Sequence, residues 1–241
     1  MRTPSRYLPL ILGTLMLIVQ PLLAQEVTKL KARVITELGR YYDTPFKVMV
    51  DKPGVVTITG AVPSYWDKLN VFSIVSRVPD VKEISNLLEV RTDLVADDVI
   101  KANIINALQL NNVILEPEKI QVGVDHGLVI LRGAVSFHRE AEGAEDIAAW
   151  QSGVKSVANQ ITVLPPKQAI SDENLLAILR ETIDRFFPFE KNTVQVQVNQ
   201  GQVTLTGNVM SLWARQEVEK EVRRIQGVRE VDNKIAVVRA S

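Results

Sequence analysis

The chain has 241 residues, with 28 basic and 28 acidic side chains, two histidines and no cysteine. Disulfide scaffolds and thiol chemistry are therefore excluded, and balanced charge gives no overall attraction to nucleic acid. Apolar residues make up 46% of the chain, enough to build buried cores.

Residues 1–24 read as a secretory address. Arg2 and Arg6 precede an uninterrupted apolar run from Leu8 to Val19, and Ala24 is a small residue suited to cleavage after it. A membrane anchor needs about 20 apolar residues, and Pro21 interrupts this run. No cysteine follows, so acylation as a lipoprotein is excluded. A soluble periplasmic chain, cleaved after Ala24, is expected.

Past the address, Leu30, Val34 and Leu38 are four apart and predict one buried stripe of a first helix, stopped by Pro45. Two strands should follow as a hairpin turning at Gly54, where extra Pro53 lengthens the turn. The second strand, Val56-Thr57-Ile58-Thr59, ends on Gly60. A second helix then carries Val71 and Val75 inward, and a third strand over residues 87–90 follows Asn86.

This frame is written twice more. Val129-Ile130-Leu131-Arg132-Gly133 and Val203-Thr204-Leu205-Thr206-Gly207 repeat the second strand, so the motif glycines lie 73 and 74 residues apart. From each glycine to the asparagine before the third strand (Asn86, Asn159, Asn233) the count is 26 every time. Ile100, Ile104 and Leu108, then Leu175, Leu179 and Ile183, repeat the first-helix stripe, and Ser171 stands where it would cap the last one. Gly127 and Gly201 fall in the hairpin turns.

The fold class is therefore α+β, with three tandem α-β-β-α-β units over residues 27–92, 97–164 and 171–238. Each is expected to be a three-stranded sheet with both helices packed on one face. Units of roughly 70 residues are near the lower limit for an independent core and should lean on their neighbours. Patterning lapses at residues 92–97 and 165–170. The Pro165-Pro166 linker should be stiff, while the first linker carries no such restraint, and neither fixes how the units face one another.

The second-strand motif, together with Gly153-Val154-Lys155-Ser156-Val157-Ala158-Asn159 and Gly227-Val228-Arg229-Glu230-Val231-Asp232-Asn233, resembles the BON domain, named for bacterial OsmY and nodulation proteins. The first unit departs from it, with Asp80 for the glycine and Ile84 for the second valine. Trp66 and Trp213 fall where family members often carry tryptophan, and Arg139 stands there in the second unit. The resemblance covers essentially the whole mature chain. It implies a periplasmic or envelope protein without catalysis, binding phospholipid surfaces or other envelope components, and linked to osmotic or envelope stress.

Chemistry is sparse in the residues themselves. His126 sits in a predicted turn and His138 at the start of a helix, and the other units have Lys52 or Gln200, and Tyr65 or Leu212, in those places. The acidic pairs Asp97-Asp98 and Asp172-Glu173 suit helix starts. No catalytic residue, metal site, cofactor or small-molecule substrate is expected, and no nucleic-acid partner.

Two surfaces are candidates for contact with an anionic phospholipid surface or an envelope protein. Tyr65, Leu69 and Phe72 form an apolar line about 120° around the second helix from its core positions, where the other units place polar residues at the last two. This stripe meets a lipid or partner, or it docks against a neighbouring unit. The second candidate is the basic group Arg215, Lys220, Arg223 and Arg224, interleaved with Glu217, Glu219 and Glu221. A chaperone-like protein holding unfolded clients on the apolar stripe is the alternative reading. Two aromatic groups, Tyr41-Tyr42 with Phe46 and Phe186-Phe187 with Phe189, could insert at a headgroup interface or plug the ends of small cores.

Overall fold

Each motif glycine ends the middle strand of a three-stranded sheet. The first unit consists of α1 (Leu8–Leu38), β1 (Lys47–Lys52), β2 (Val55–Val62), α2 (Tyr65–Ser76) and β3 (Glu83–Val90). The second has α3 (Asp97–Leu110), β4 (Ile120–Asp125), β5 (Leu128–Val135), α4 (His138–Ala149) and β6 (Ser156–Val163). The third has α5 (Asp172–Phe186), β7 (Val194–Asn199), β8 (Gln202–Val209), α6 (Leu212–Arg223) and β9 (Glu230–Val237). The computed structural model describes residues 8–43, 45–165, 170–188 and 193–238, with side chains from Leu23 onward. The expected α-β-β-α-β order is present three times.

In every sheet the middle strand pairs antiparallel with the strand before it and parallel with the strand after it. The hairpin accounts for the first pairing, and the parallel one needs the second helix as its crossover. Both helices then cover one face. Leu30, Val34 and Leu38 are buried, as are Ile100, Ile104 and Leu108, and Leu175, Leu179 and Ile183. They meet Val56 and Ile58, Val129 and Leu131, and Val203 and Leu205 from the middle strands, giving one core per unit.

Two of the motif glycines are required by close approach. A Cβ on Gly207 would lie 1.8 Å from the Thr193 carbonyl oxygen, and one on Gly133 2.1 Å from that of Lys119. Gly60 differs: its nearest neighbour would be the Phe46 ring at 3.4 Å. The reason is register, because Gly133 and Gly207 pair with Ile120 and Val194, whereas the pairing of β1 stops at Thr59.

The asparagines bolt the third strand to the second helix. Nδ2 of Asn86, Asn159 and Asn233 donates to the carbonyls of Lys68, Ala141 and Arg215, at 2.7, 2.8 and 3.1 Å. Each Oδ1 accepts the N–H two residues on, from Leu88, Ile161 and Ile235. One side chain thus ties a backbone carbonyl of the helix to a backbone N–H of the strand.

Hairpin turns follow the sequence. His126-Gly127 and Gln200-Gly201 have positive φ, as a two-residue turn requires, and the Pro53 insertion shifts the register between Met49 and Lys52. Ser171 caps α5, accepting from the Asn174 N–H, and Ser64 and Ser211 cap α2 and α6 in the same way. Phe137 has no oxygen at that place in α4. The N–H of Glu140 bonds the Phe137 carbonyl there, and the buried Glu140 carboxylate holds the approach to α4, accepting N–H groups from Ser136, Phe137 and Leu115.

The beginning of the chain departs from the expected separation of address and first helix. α1 is continuous from Leu8 to Leu38, through Pro21 and the expected cleavage position, and residues 1–7 lie outside the described residues. Among the described residues, no helix is long and apolar enough to cross a membrane.

The aromatic groups divide. Tyr42 and Phe46 pack on the first core edge to face, with centroids 5.4 Å apart, and Phe187 is buried in the third core, whereas Tyr41 and Phe186 are exposed. Phe189 and the linker residues 166–169 lie outside the described residues.

Candidate functional site

The three second helices join the units into a ring. Seventeen places after each motif glycine stands Arg77, Trp150 or Arg224. Trp150 of the second unit lies against Trp66 of the first, with ring centroids 4.3 Å apart. Arg77 of the first unit sits over Trp213 of the third, 5.0 Å from its centroid. Arg224 of the third unit pairs with Glu142 of the second at 2.6 Å. The second unit therefore reaches the first, the first reaches the third and the third reaches the second. The three contacts thus form a closed cycle, the third made through Glu142, three places beyond the position that Trp66 and Trp213 occupy in theirs.

Five places after each glycine stands the residue that fills each junction. Tyr65 packs on the second core, and Leu212, only 6% exposed, joins the first. Burial pushes the Tyr65 phenol above its ordinary pKa, Glu145 adds to the rise, and a hydrogen bond with the Val157 backbone opposes it. At the third junction the residue is His138. Burial pushes its imidazole down, Glu142 pulls it up, and Arg223 adds to the depression. Arg139, where the other units have tryptophan, turns instead over its own neighbour Phe137, 4.9 Å from the ring centre.

A cleft of about 590 Å³ opens there, between α4 and β6 of the second unit and residues 223–229 of the third. Ile161 on its floor is partly exposed, whereas its counterparts Leu88 and Ile235 are each 2% exposed.

The candidate stripe lies on this ring. Tyr65 is in the first junction, while Leu69 and Phe72 are half-buried on α2, which touches both α4 and α6. Within the basic group, Arg223 pairs with Glu219 at 2.6 Å, Arg224 with Glu142 and Glu221, and the Arg215 guanidinium donates to the Asn233 carbonyl at 3.3 Å. Lys220 is partly buried, with no ion pair among the described residues. The four side chains are thus mostly committed to partners within the protein.

Asp97, Asp125 and His126 bring three metal-ligating groups together. Asp97 is already occupied, accepting the turn N–H groups of His126 at 2.7 Å and Gly127 at 3.0 Å. Asp172 accepts those of Gln200 and Gly201 at 2.6 and 3.0 Å with no histidine nearby in the turn, so the shared role is a turn clip. Those two backbone bonds hold the Asp97 carboxyl below its ordinary pKa.

Exposed apolar side chains are spread over the molecule, Leu94 in the first linker, Leu87 and Trp150 among them, and one group lies at the end of the first helix of the second unit and the loop after it. Leu110 is 84% exposed and Leu115 58%, with Val113 between them, and single exposed aromatics, Tyr41 just after α1 and Phe186 at the end of α5, stand near the corresponding places of the other units. Sequence reading missed Val113 and Leu115 because residues 110–115 carry no aromatic signal, and it missed the cleft because that depends on how units meet.

A family model described as the BON domain matches residues 27–92, 96–165 and 172–239. No curated protein matches the chain. Among solved structures the chain is similar to CdsD, a structural protein of the type III secretion system of Chlamydia trachomatis, at 16% identity and a TM-score of 0.25, over 88% of this chain and 93% of that one. It is also similar to the periplasmic domain of the type III secretion inner-membrane protein PrgH from S. typhimurium, at 14% identity and a TM-score of 0.20, over 81% of this chain and all of that one. Scores of this size do not establish a shared overall arrangement.

Proposed function

The chain belongs to the BON domain family, and from that premise we propose that it is a periplasmic, non-catalytic binding protein that attaches reversibly to phospholipid surfaces of the cell envelope. The family suggests the compartment, the association with the envelope and a role without catalysis. The charged and apolar beginning of the chain supports export.

The observation that carries the lipid reading is the exposed apolar group Leu110, Val113 and Leu115 after the first helix of the second unit, with Tyr41 and Phe186 near the corresponding places of the others. Full burial of one such side chain contributes roughly 1.5–3 kcal/mol, so one loop inserted at a headgroup boundary binds weakly. Linked loops on one ring raise the avidity without any single strong contact. A role in osmotic or envelope stress fits a protein that attaches and releases in this way.

Co-sedimentation of the purified chain with neutral and anionic vesicles tests it. Because the arginines of α6 are mostly held by glutamates, binding should depend on the loops more than on salt. Replacing Leu110 and Leu115 together by aspartate should lower the bound fraction about tenfold. An unchanged bound fraction in that variant, or no sedimentation of the native chain with either vesicle, refutes the reading.

A further inference from the structure

Two junctions of the ring are closed by apolar burial, and the third is closed by charge. At the first, Tyr65 seats on the second core and Trp66 stacks on Trp150. At the second, Leu212 and Val237 seat on the first core and Trp213 lies under Arg77. Between the second and third units, neither core takes an apolar side chain from the other and no ring contact crosses, among the described residues. What spans this junction is Arg224, whose guanidinium donates to the Glu142 carboxylate at 2.7 Å.

His138 stands here in the place of Tyr65 and Leu212. It is partly buried, between Glu142 one turn along its own helix and Arg223 on α6 across the junction. The other charged groups lining the cleft are Glu145, held by the Asn159 amide at 3.2 Å, and Arg224 and Arg229 of the third unit; β6 brings no charge to it. Glu219 and Glu221 stand behind, pairing with Arg223 and Arg224, and Arg139 turns away over Phe137.

Protonation of His138 acts unequally on an open and a closed junction. Its attraction to Glu142 runs along one helix in either state, and in the closed one Glu142 is already shared with Arg224. Repulsion from Arg223 and loss of water arise only where the units meet, and both disfavour the imidazolium there. The imidazole is held below its ordinary pKa by burial first, with Glu142 opposing and Arg223 adding, which is the same sign.

We propose that the junction between the second and third units is an acid-sensitive latch, in which protonation of His138 parts these two units while each stays seated on the first. α2 packs against both α4 and α6, so the first unit keeps hold of both. A histidine whose closed-state pKa is depressed supports closure fully above its ordinary value of 6.5, and that support is lost as pH falls through 6.5 toward the closed-state value. Below both, closure is weaker by about tenfold for each pH unit between them. The latch does not depend on the lipid-facing loops.

The chain has no cysteine, so the full chain accepts spin labels at chosen pairs of exposed positions. Ala158→Cys with Gln195→Cys reports the distance from second to third unit, and Lys47→Cys with Ala158→Cys that from first to second. Between about pH 7.5 and about pH 5.5, where carboxylates stay ionised, the first distance should lengthen and broaden and the second should not change. His138→Leu, which copies the residue of the third unit, should hold the first distance at its neutral-pH value throughout. An NMR titration of the native chain should place the His138 imidazole below 6.5. An unchanged distance from second to third unit, an equal response of both label pairs, an undiminished response in His138→Leu, or an imidazole titrating at or above 6.5 overturns the proposal. The two label pairs and the titration decide the matter even where His138→Leu fails to fold.

Discussion

Replacing each motif glycine by alanine separates two reasons for having glycine. At Gly207 φ is +117° and at Gly60 it is +141°, so alanine at either is strained by about 1–3 kcal/mol. At Gly207 the new Cβ would also lie 1.8 Å from the Thr193 oxygen, where ordinary contact begins at 3.4 Å. Opening that gap breaks the bond from the Asn208 N–H to the Thr193 oxygen, now 3.2 Å, and leaving that N–H without its acceptor adds about 1–3 kcal/mol. Gly207→Ala should therefore cost about 2–6 kcal/mol and Gly60→Ala about 1–3 kcal/mol. For a chain of this length each kcal/mol lowers Tm by about 2–4 °C. Urea and thermal melts of the three single variants should rank Gly60→Ala as the mildest, with Gly133→Ala beside Gly207→Ala because its Cβ would meet Lys119 at 2.1 Å. Equal losses at Gly60 and Gly207 would show that backbone strain alone decides, and the argument from register would fail.

Two further outcomes follow from the ring and the turns. In a double-mutant cycle, Trp66→Ala and Trp150→Ala should couple by about 0.5–1.5 kcal/mol, while Trp66→Ala and Arg224→Ala, which act at different junctions, should add independently; no coupling at the tryptophan pair would deny the ring contact. Asp97 has its folded pKa held below the ordinary carboxylate value by the turn N–H groups, so its contribution is complete above that value and is lost as pH falls through it toward the folded pKa. Asp97→Asn should therefore flatten the acid-side fall in Tm, and a carboxyl titration by NMR that places Asp97 at or above the ordinary range contradicts the clip.

The units were legible because each rests on local rules. A four-residue apolar step, strand alternation and a glycine turn are written within about 70 residues, and three copies allow each to check the others. The register difference at Gly60 was visible only as the extra Pro53. The purpose of the asparagines was not legible, since a spacing of 26 does not say that Asn233 reaches back to Arg215 on the preceding helix. Glu140 gave no signal of its own among the acids of α4. Its burial follows from Phe137 standing where Ser64 and Ser211 supply cap oxygens, a comparison the repeats made available.

How the units meet was hidden for a physical reason. Each junction is made by side chains from two units whose sequences carry no shared period across the boundary, and linkers do not fix orientation. The sequence did carry one trace of it. Tyr65, His138 and Leu212 differ at a single place in an otherwise regular frame, as do Trp66, Arg139 and Trp213 beside them. In a ring of three junctions, selection for stability alone favours filling all three alike, since each buried aromatic side chain adds apolar burial and ring contact. A histidine and an arginine at one junction forgo that gain while an ion pair, Arg224 with Glu142, keeps the ring closed around the space.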